Sequence, residues 1–355
     1  MGTSSKISEI WYTFCPVVCV SHIAQEMGWL EAEFAKDGIK LSHISTLPAK
    51  DGQSHFTHKH DRLIRDGGNI PPIWTRSEGV NTIVVGMVCA DHGRAILVRK
   101  DSQITSIKEL KGKRIALLRR LPDLIDFYRA TAKRNIILSL KAHGLTEDDI
   151  QFVDIPIGTG SLATEKTPPQ GDGWAIFSRT GWKLPQQPEM DALQSGEVDA
   201  MTADGSREVI LEQTGVARSI YNLRNHPDWE YHVNINYPWV CTVSDDLAKN
   251  HPDLVTRWMK VLVKAGMWAK DNYAEVLKIF AKVTGRPEET LQKSYPLDFH
   301  KHLVPEVSER GIQALEVEKS FLKEHGFINN DFDVRSWVDG SFLEAAVKAV
   351  EAESK

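Results

Sequence analysis

Two short motifs carry the most reactive side chains of this sequence. They are YTFCPV at residues 12–17 and HFTHKHDRLIRDGGNIPP at residues 55–72. A histidine can exchange a proton with a thiol, and the planar fork of an arginine matches two oxygens of a small anion. Glycines let backbone N–H groups approach such an anion closely. The motifs therefore predict a small-anion site with a reactive thiol, and its candidate residues are Cys15, His55, Arg65, Gly67 and Gly68.

The cysteines allow several interpretations. The chain has four of them, Cys15, Cys19, Cys89 and Cys241. The N-terminus has no apolar region that reads as a secretory signal, so we expect a cytoplasmic protein, in which thiols stay reduced. Cys19 lies one helical turn beyond Cys15 and is expected to face the core, and the other two end apolar runs and are also expected to be buried. Cys15 is thus the candidate reactive thiol.

The histidines of HFTHKH raise a zinc-site hypothesis, because three of them with a thiolate would make a ligand set. Their spacing matches none of the usual zinc signatures, and no second ligand cluster is present. We therefore predict no metal, and we expect His58 and His60 to lie in an exposed loop.

Composition limits the partners. The 355 residues have a net charge of −5, with 41% hydrophobic and 26% charged residues and no basic block. This excludes an obvious nucleic-acid or membrane-surface binder, and no apolar run reaches the roughly 18 residues of a membrane span. We expect a monomer that binds a small molecule.

The pattern of elements is that of an α/β protein. EIWYTFCPV predicts a strand that stops at Pro16, followed by a helix that begins at this proline and ends near Met27, before Gly28. Further strands alternate with helices up to about residue 204, which predicts a mostly parallel sheet covered on both faces. The last third of the chain is helical, with an apolar stripe in the segment 252–269.

Several phrases resemble the type II periplasmic-binding-protein fold, namely GWLEAEFAKDGIKL, DSQITSIKELKGKRIAL, ALQSGEVDA and HPDLVTRWMKVLVKAGMWAKDN. The resemblance implies two α/β lobes with the active site in the cleft between them. The predicted first lobe combines residues 1–98 and 237–355, and the second lobe is residues 99–236. The chain would cross between lobes near Val98 and near Asn236.

A closer resemblance covers nearly the whole chain. The motifs YTFCPV and HFTHKHDRLIRDGGNIPP, together with DFHKHLVP at residues 298–305, are similar to those of the aryl-sulfinate desulfinases. The resemblance implies that no cofactor is needed and that an organic sulfinate is the ligand. It implies catalytic roles for Cys15, His55 and Arg65, and substrate-binding roles for Arg65, Gly67, Gly68, Phe56 and Thr13.

The expected function is cleavage of the C–S bond of an aromatic or related organic sulfinate, with release of sulfite. Cys15 would act either as an acid toward the ring carbon or as a nucleophile toward sulfur. The alternatives are a non-catalytic binding protein for a sulfonate, sulfinate or similar anion, and a pyrimidine-precursor enzyme of the same fold. The segment from Arg119 to Arg134 and the phrase MTADGSREV depart from the desulfinase pattern, so we expect a different substrate.

Overall fold

The chain is organised around two five-stranded sheets. The computed structural model describes residues 7–15, 17–47, 53–90, 93–120, 124–157 and 187–353. The first sheet has the order β2 (Lys40–His43), β1 (Glu9–Phe14), β3 (Leu63–Gly67), β10 (Trp239–Ser244), β4 (Thr82–Val88). The second sheet has the order β7 (Gln151–Ile157), β6 (Arg114–Arg120), β8 (Ala200–Asp204), β5 (Arg94–Arg99), β9 (Ala217–Asn222).

Each sheet is mostly parallel, as the sequence predicts. In the first sheet β1 is parallel to β2 and β3, whereas β10 is antiparallel to β3 and β4. In the second sheet β6 is parallel to β7 and β8, whereas β5 is antiparallel to β8 and β9. The α/β class with two lobes is therefore confirmed, and the antiparallel strand of each sheet is the one with which the chain crosses into it from the other sheet.

The crossings between the sheets can be located from strand pairing. The chain leaves the first sheet after Val88 and enters the second at Arg94, and it returns between Asn222 and Trp239. The crossing expected near Val98 thus falls inside β5, because the pairing of β5 with β8 and β9 already assigns this strand to the second sheet. The lobe boundaries at residues 98 and 236 stay predictions.

Helices cover both sheets. Those between strands of the two sheets are α1 (Val20–Glu26), α2 (Trp29–Ala35), α3 (Ser54–Thr57), α4 (Ile70–Ser77), α5 (Phe127–Lys141), α6 (Gln187–Ser195) and α7 (Ser206–Gln213). The C-terminal third holds α8 (Asp245–Asn250), α9 (Pro252–Ala269), α10 (Tyr273–Thr284), α11 (Glu288–Ser294), α12 (Glu309–Glu324), α13 (Val334–Trp337) and α14 (Ser341–Glu353). In the part of the chain that the structure describes, no helix has the length and apolar character needed to cross a membrane.

The apolar stripe of α9 holds β1 in place. Leu254, Trp258 and Val261 are buried on this stripe, and the Trp258 ring centroid lies 6.1 Å from that of Phe14 in β1. Fully burying one such aromatic side chain contributes about 1.5–3 kcal/mol. One face of β1 is thereby fixed against the core, which leaves the opposite face for the site.

The helix after β1 begins later than predicted. Pro16 lies outside the described residues, and α1 begins only at Val20, with Cys19 as its N-cap. The effect of a helix dipole falls off within the first turn. Cys15 therefore lies too far before α1 for the helix N-terminus to stabilise its thiolate, whereas a helix that began at Pro16 would have done so.

A buried ion pair connects the two halves of the chain. Arg134 on α5 and Glu318 on α12 are both nearly inaccessible, and Arg134 Nε lies 3.2 Å from Glu318 Oε2. Removing one partner of such a pair costs about 3–5 kcal/mol, because the other charge remains buried without compensation. This pair therefore helps fix the second sheet relative to the C-terminal helices.

Candidate active site

The register of β1 and β3 places the candidate residues on one face of the first sheet. Thr13 pairs with Arg65 in this parallel ladder, and the Cys15 N–H donates to the Asp66 carbonyl at 2.9 Å just beyond it. Side chains alternate between faces along a strand. Thr13 and Cys15 therefore share their face with Arg65 and Gly67, at the carboxyl ends of two neighbouring parallel strands, where ligands bind in open α/β sheets.

His55 covers this face from the short helix α3. Its Nδ1 lies 2.8 Å from Thr13 Oγ1, and its Nε2 lies 3.4 Å from Cys15 Sγ. Both Thr13 and His55 are buried, whereas Cys15 is half-buried. Thr13 thus lies behind the imidazole and orients it toward the thiol, although the sequence suggested that Thr13 would contact substrate.

Arg65 holds the site together and points one nitrogen at the thiol. Its Nε donates to the His55 carbonyl at 2.9 Å and its Nη1 donates to the Gly68 carbonyl at 3.0 Å. Its Nη2 lies 3.6 Å from Cys15 Sγ. The side chain is only 1% exposed. Two of the three guanidinium nitrogens thus already bind main chain, so that Nη2 is the nitrogen directed at the reactive thiol.

The glycine pair has a packing role that the sequence did not reveal. Gly67 has a φ of +152°, and a Cβ on it would lie 2.2 Å from Cys15 Sγ. A Cβ on Gly68 would lie 2.8 Å from Ile235 Cγ1. The thiol of Cys15 therefore occupies the space that any other residue at position 67 would fill, and the Gly68 backbone N–H is hydrogen-bonded to that thiol.

Burial determines the protonation states. Burial raises the pKa of the Cys15 thiol above its ordinary value, although the nearby Arg65 charge and the Gly68 N–H favour the thiolate. Burial, reinforced by the charge of Arg65, holds the pKa of His55 well below its usual range. The resting site therefore contains a neutral thiol and a neutral imidazole beside a charged guanidinium.

A separate polar group lies on the other face of the same strands. Asp66 accepts a hydrogen bond from the Ser21 hydroxyl on α1, and burial raises the pKa of this carboxyl to about 6. Cys19 lies on this side, where burial and the Asp66 charge raise its pKa well above the ordinary thiol value. Cys19 is buried, as predicted, and so is Cys241, whereas Cys89 is half-buried.

The HFTHKH histidines do not gather around a metal. His58 is buried rather than exposed as expected, because its Nε2 pairs with the Leu63 carbonyl at 3.2 Å. His60 is half-buried with its ring 5.1 Å from that of Trp11. Among the described residues, no cluster of three or more histidine, cysteine or acidic side chains is arranged to hold a metal ion.

Phe56 connects the site to helix α5 through ring contacts. Its ring lies against His55, with centroids 4.9 Å apart, and stacks on Phe127 with centroids 6.0 Å apart. Phe127 begins α5, whose N-cap Asp126 accepts a hydrogen bond from the Arg129 N–H. Sequence analysis missed Phe127, although the Asp126 cap was a usable signal that a helix begins there.

Comparisons with known proteins show which proteins this chain is similar to. Residues 22–166 match the family model described as NMT1/THI5 like. The 2′-hydroxybiphenyl-2-sulfinate desulfinase of Rhodococcus erythropolis is 28% identical, over 94% of this chain and 92% of its own length. The resemblance to the desulfinases is confirmed.

Solved structures agree with the fold. The structure of a cysteine-to-serine variant of the desulfurization enzyme DszB in complex with biphenyl-2-sulfinic acid matches with a TM-score of 0.76 and 24% identity. It covers 96% of this chain and 99% of that chain. The periplasmic sulfonate-binding protein of Methylobacillus flagellatus matches with a TM-score of 0.72 and 18% identity, over 98% and 96% of the two chains. This chain therefore has the two-lobed fold that the desulfinase shares with solute-binding proteins.

Proposed function

We propose that this protein is a cofactor-independent desulfinase that cleaves the C–S bond of an organic sulfinate and releases sulfite. The observation that carries the proposal is the convergence of His55 Nε2 and Arg65 Nη2 on Cys15 Sγ, at 3.4 and 3.6 Å. The confirmed similarity to a desulfinase supports it, and so does the bound sulfinic acid in the cysteine-to-serine variant of DszB. A protein that only bound an anion would need no thiol at this point.

The protonation states favour Cys15 as an acid over Cys15 as a nucleophile. Nucleophilic attack on sulfur needs a thiolate, either at rest or formed by transfer of the proton to His55. Burial raises the pKa of the Cys15 thiol and lowers that of His55, and both effects oppose formation of this charged pair. In the acid mechanism the S–H proton is transferred to the ring carbon that bears sulfur. A π electron pair of the ring forms the new C–H bond. The C–S bond then breaks, its electron pair returns to the ring and restores aromaticity, and sulfur dioxide leaves.

The net reaction consumes one water molecule, as a hydrolase reaction does. Sulfur dioxide takes up water and becomes hydrogensulfite, and the proton released in this step returns to the Cys15 thiolate. An aryl sulfinate and water thus give an arene and hydrogensulfite, with no oxidant or reductant. No cofactor is required by this balance.

The neighbours of Cys15 stabilise the thiolate that forms during this step. Arg65 Nη2 provides a positive charge, and the Gly68 N–H provides a fixed dipole. When the Thr13 hydroxyl donates a hydrogen bond to Nδ1 of His55, the neutral imidazole carries its proton on Nε2 and can donate it in a hydrogen bond to the Cys15 sulfur. Preorganised donors aimed at the atom where charge develops are a major source of rate enhancement.

The test compares the two cysteines of the first motif. We expect the purified protein to release sulfite from benzenesulfinate, with production of benzene. Cys15→Ser should reduce turnover by about 100- to 10,000-fold, the usual contribution of a general acid, and should still bind the sulfinate. Cys19→Ser is the matched control and should retain most of the turnover.

Three outcomes would contradict the proposal. Binding of sulfinates without sulfite release by the native protein would favour the non-catalytic binding protein. Equal turnover of Cys15→Ser and the native protein would remove Cys15 from the chemistry. A pyrimidine-precursor enzyme would give no sulfite and no sulfinate binding. A cytoplasmic, monomeric enzyme is part of the proposal, and fractionation with size-exclusion chromatography checks it.

A further inference from the structure

The second sheet brings its own polar groups to the level of the active site. Arg120 ends β6 and Asp204 ends β8, which are parallel strands, as β1 and β3 are in the first sheet. Tyr128 lies in the first turn of α5 and Arg207 in the first turn of α7. The carboxyl ends of strands and the starts of the following helices face the ligand crevice in such folds.

Two chains of contacts connect these groups to the active site. On one side, the ring of Phe127 stacks on Phe56 beside His55 and touches Tyr128, with centroids 4.5 Å apart. On the other side, Arg94 Nη2 donates to Asn234 Oδ1 at 3.0 Å. Asn234 precedes Ile235, which packs against Gly68. Both series of contacts run from the active site to the second sheet, whose polar groups lie at the strand ends that face the ligand crevice in this type of fold.

The polar groups of the second sheet that these contacts reach are rich in arginine. We call this group the distal cluster, and its members are Arg94, Arg120, Tyr128, Asp204 and Arg207. Arg207 Nη2 donates to the Tyr128 hydroxyl at 2.8 Å, and Arg207 Nη1 lies 3.4 Å from Asp204 Oδ1. Asp204 also pairs with the buried Arg94.

Two guanidinium groups lie against the Tyr128 ring. The Arg120 guanidinium carbon lies 3.9 Å from the Tyr128 ring centroid, and that of Arg207 lies 5.0 Å from it. Arg286 adds a further positive charge nearby. Burial lowers its pKa, and repulsion by the charge of Arg207 lowers that pKa further. The nearby acidic groups are Asp204, Asp126 and Glu189. A substrate with a second, unsubstituted aryl ring would place that ring against guanidinium groups here.

We propose that the substrate carries a carboxylate in addition to its sulfinate, and that Arg120 and Arg207 bind this carboxylate. The inference rests on the proposed function, because it names the substrate class of the same site. Arginine forks match the two oxygens of a carboxylate, and Tyr128 fixes the position of one fork through its hydroxyl. The sulfinate end of the molecule lies at Cys15, and the carboxylate end lies at the distal cluster.

The experiment compares sulfite release from benzenesulfinate with release from its 2-, 3- and 4-carboxylated forms. We expect kcat/KM for at least one carboxylated isomer to exceed that for benzenesulfinate by at least about tenfold, as paired charge-assisted hydrogen bonds allow. Arg207→Gln and Arg120→Gln should each reduce this preference several-fold. Two variants are used because Arg207 has partners within the protein, Tyr128 and Asp204 among them, and its replacement can impair folding.

Arg119→Gln is the matched control. Arg119 neighbours Arg120 on β6, but it is exposed and pairs with Asp154 at 3.4 Å. Its replacement should leave the preference unchanged. Calorimetric titration of the same compounds into Cys15→Ser measures the preference without turnover, so the inference is tested even if no sulfite is released.

The outcomes separate the two proposals. Sulfite release from benzenesulfinate without any preference for a carboxylated isomer would overturn the inference and leave the proposed function standing. Absence of sulfite release from every sulfinate would overturn the proposed function. A preference that survives in both Arg120→Gln and Arg207→Gln would place the carboxylate elsewhere, and this too would overturn the inference.

Discussion

The two ends of the cleft are built in different ways. At the first sheet, Cys15 and Arg65 extend from neighbouring strands, and hydrogen bonds to main-chain carbonyls fix the guanidinium. At the second sheet, Tyr128 and Arg207 come from the first turns of two helices and contact each other through their side chains. Strand register therefore determines the reactive end, whereas helix packing determines the distal end. If the distal cluster binds part of the substrate, as proposed, substitutions there should change the substrate preference without changing the groups around Cys15.

After removal of the Cys15 thiol itself, the largest expected effect concerns the space beside that thiol. Gly67→Ala would place a methyl group 2.2 Å from Cys15 Sγ, so the thiol must move. A displacement of about 1 Å in a reactive group can cost about 100-fold in rate. We expect a turnover loss of this size in the sulfite-release assay.

Gly79→Ala is the control for backbone strain. Gly79 also has a positive φ, +83°, but a Cβ on it would meet nothing within 4 Å. Both alanine variants should lose about 1–3 kcal/mol of stability in chemical denaturation, because both adopt a strained backbone. Normal turnover by Gly67→Ala would show that the position of the thiol does not limit the reaction.

A smaller effect is expected from Arg65→Lys. Lysine keeps the charge but loses the donors to the His55 and Gly68 carbonyls. A hydrogen bond from a charged group contributes about 1.5–3 kcal/mol, so we expect stability to fall by about that amount and turnover by at least about tenfold.

The control for this variant is Arg76→Lys, a partly exposed arginine of α4 whose Nη1 donates to Asn81 Oδ1 at 3.1 Å. It should change neither quantity appreciably. If Arg65→Lys lowers sulfinate affinity while stability stays native, the guanidinium acts on the anion and not on the architecture of the site.

The smallest effect is expected at Thr13. Thr13→Val keeps the shape but removes the hydroxyl that orients His55, and a single hydrogen bond contributes about 1 kcal/mol, so turnover should fall about fivefold. Thr13→Ser keeps the hydroxyl and should restore most of the turnover. A change in KM alone, with kcat intact, would assign Thr13 to substrate binding, as the sequence first suggested.

The reactive end was largely predictable from sequence, for a physical reason. Side chains two apart on a strand share a face. Thr13 and Cys15 therefore lie on the same face as Arg65 and Gly67 when β1 and β3 pair side by side. The later start of α1 was not predictable from Pro16, because a proline fits the first turn of a helix equally well. The burial of His58 depends on one tertiary contact, with the Leu63 carbonyl.

The distal end was not predictable in the same way. Arg120, Tyr128 and Arg207 are separated by up to 87 positions in the sequence, and only the docking of α5 and α7 on the second sheet brings them together. The sequence showed that this region departs from the desulfinase pattern, but not what replaces it. Local patterns identify the strands and helices, whereas contacts between helices depend on the whole fold.

The central claim is that Cys15 is a neutral thiol poised to donate its proton. Its alkylation by iodoacetamide, followed by intact mass in a Cys89→Ser background, tests this directly, because only the thiolate reacts. The rate should be low at about pH 6 and rise about tenfold per pH unit through about pH 8, with no plateau, since burial raises the pKa of Cys15 above its ordinary value. A rate that is already high at about pH 6 and constant up to about pH 8 would reveal a resting thiolate, and would contradict the acid mechanism in favour of nucleophilic attack on sulfur.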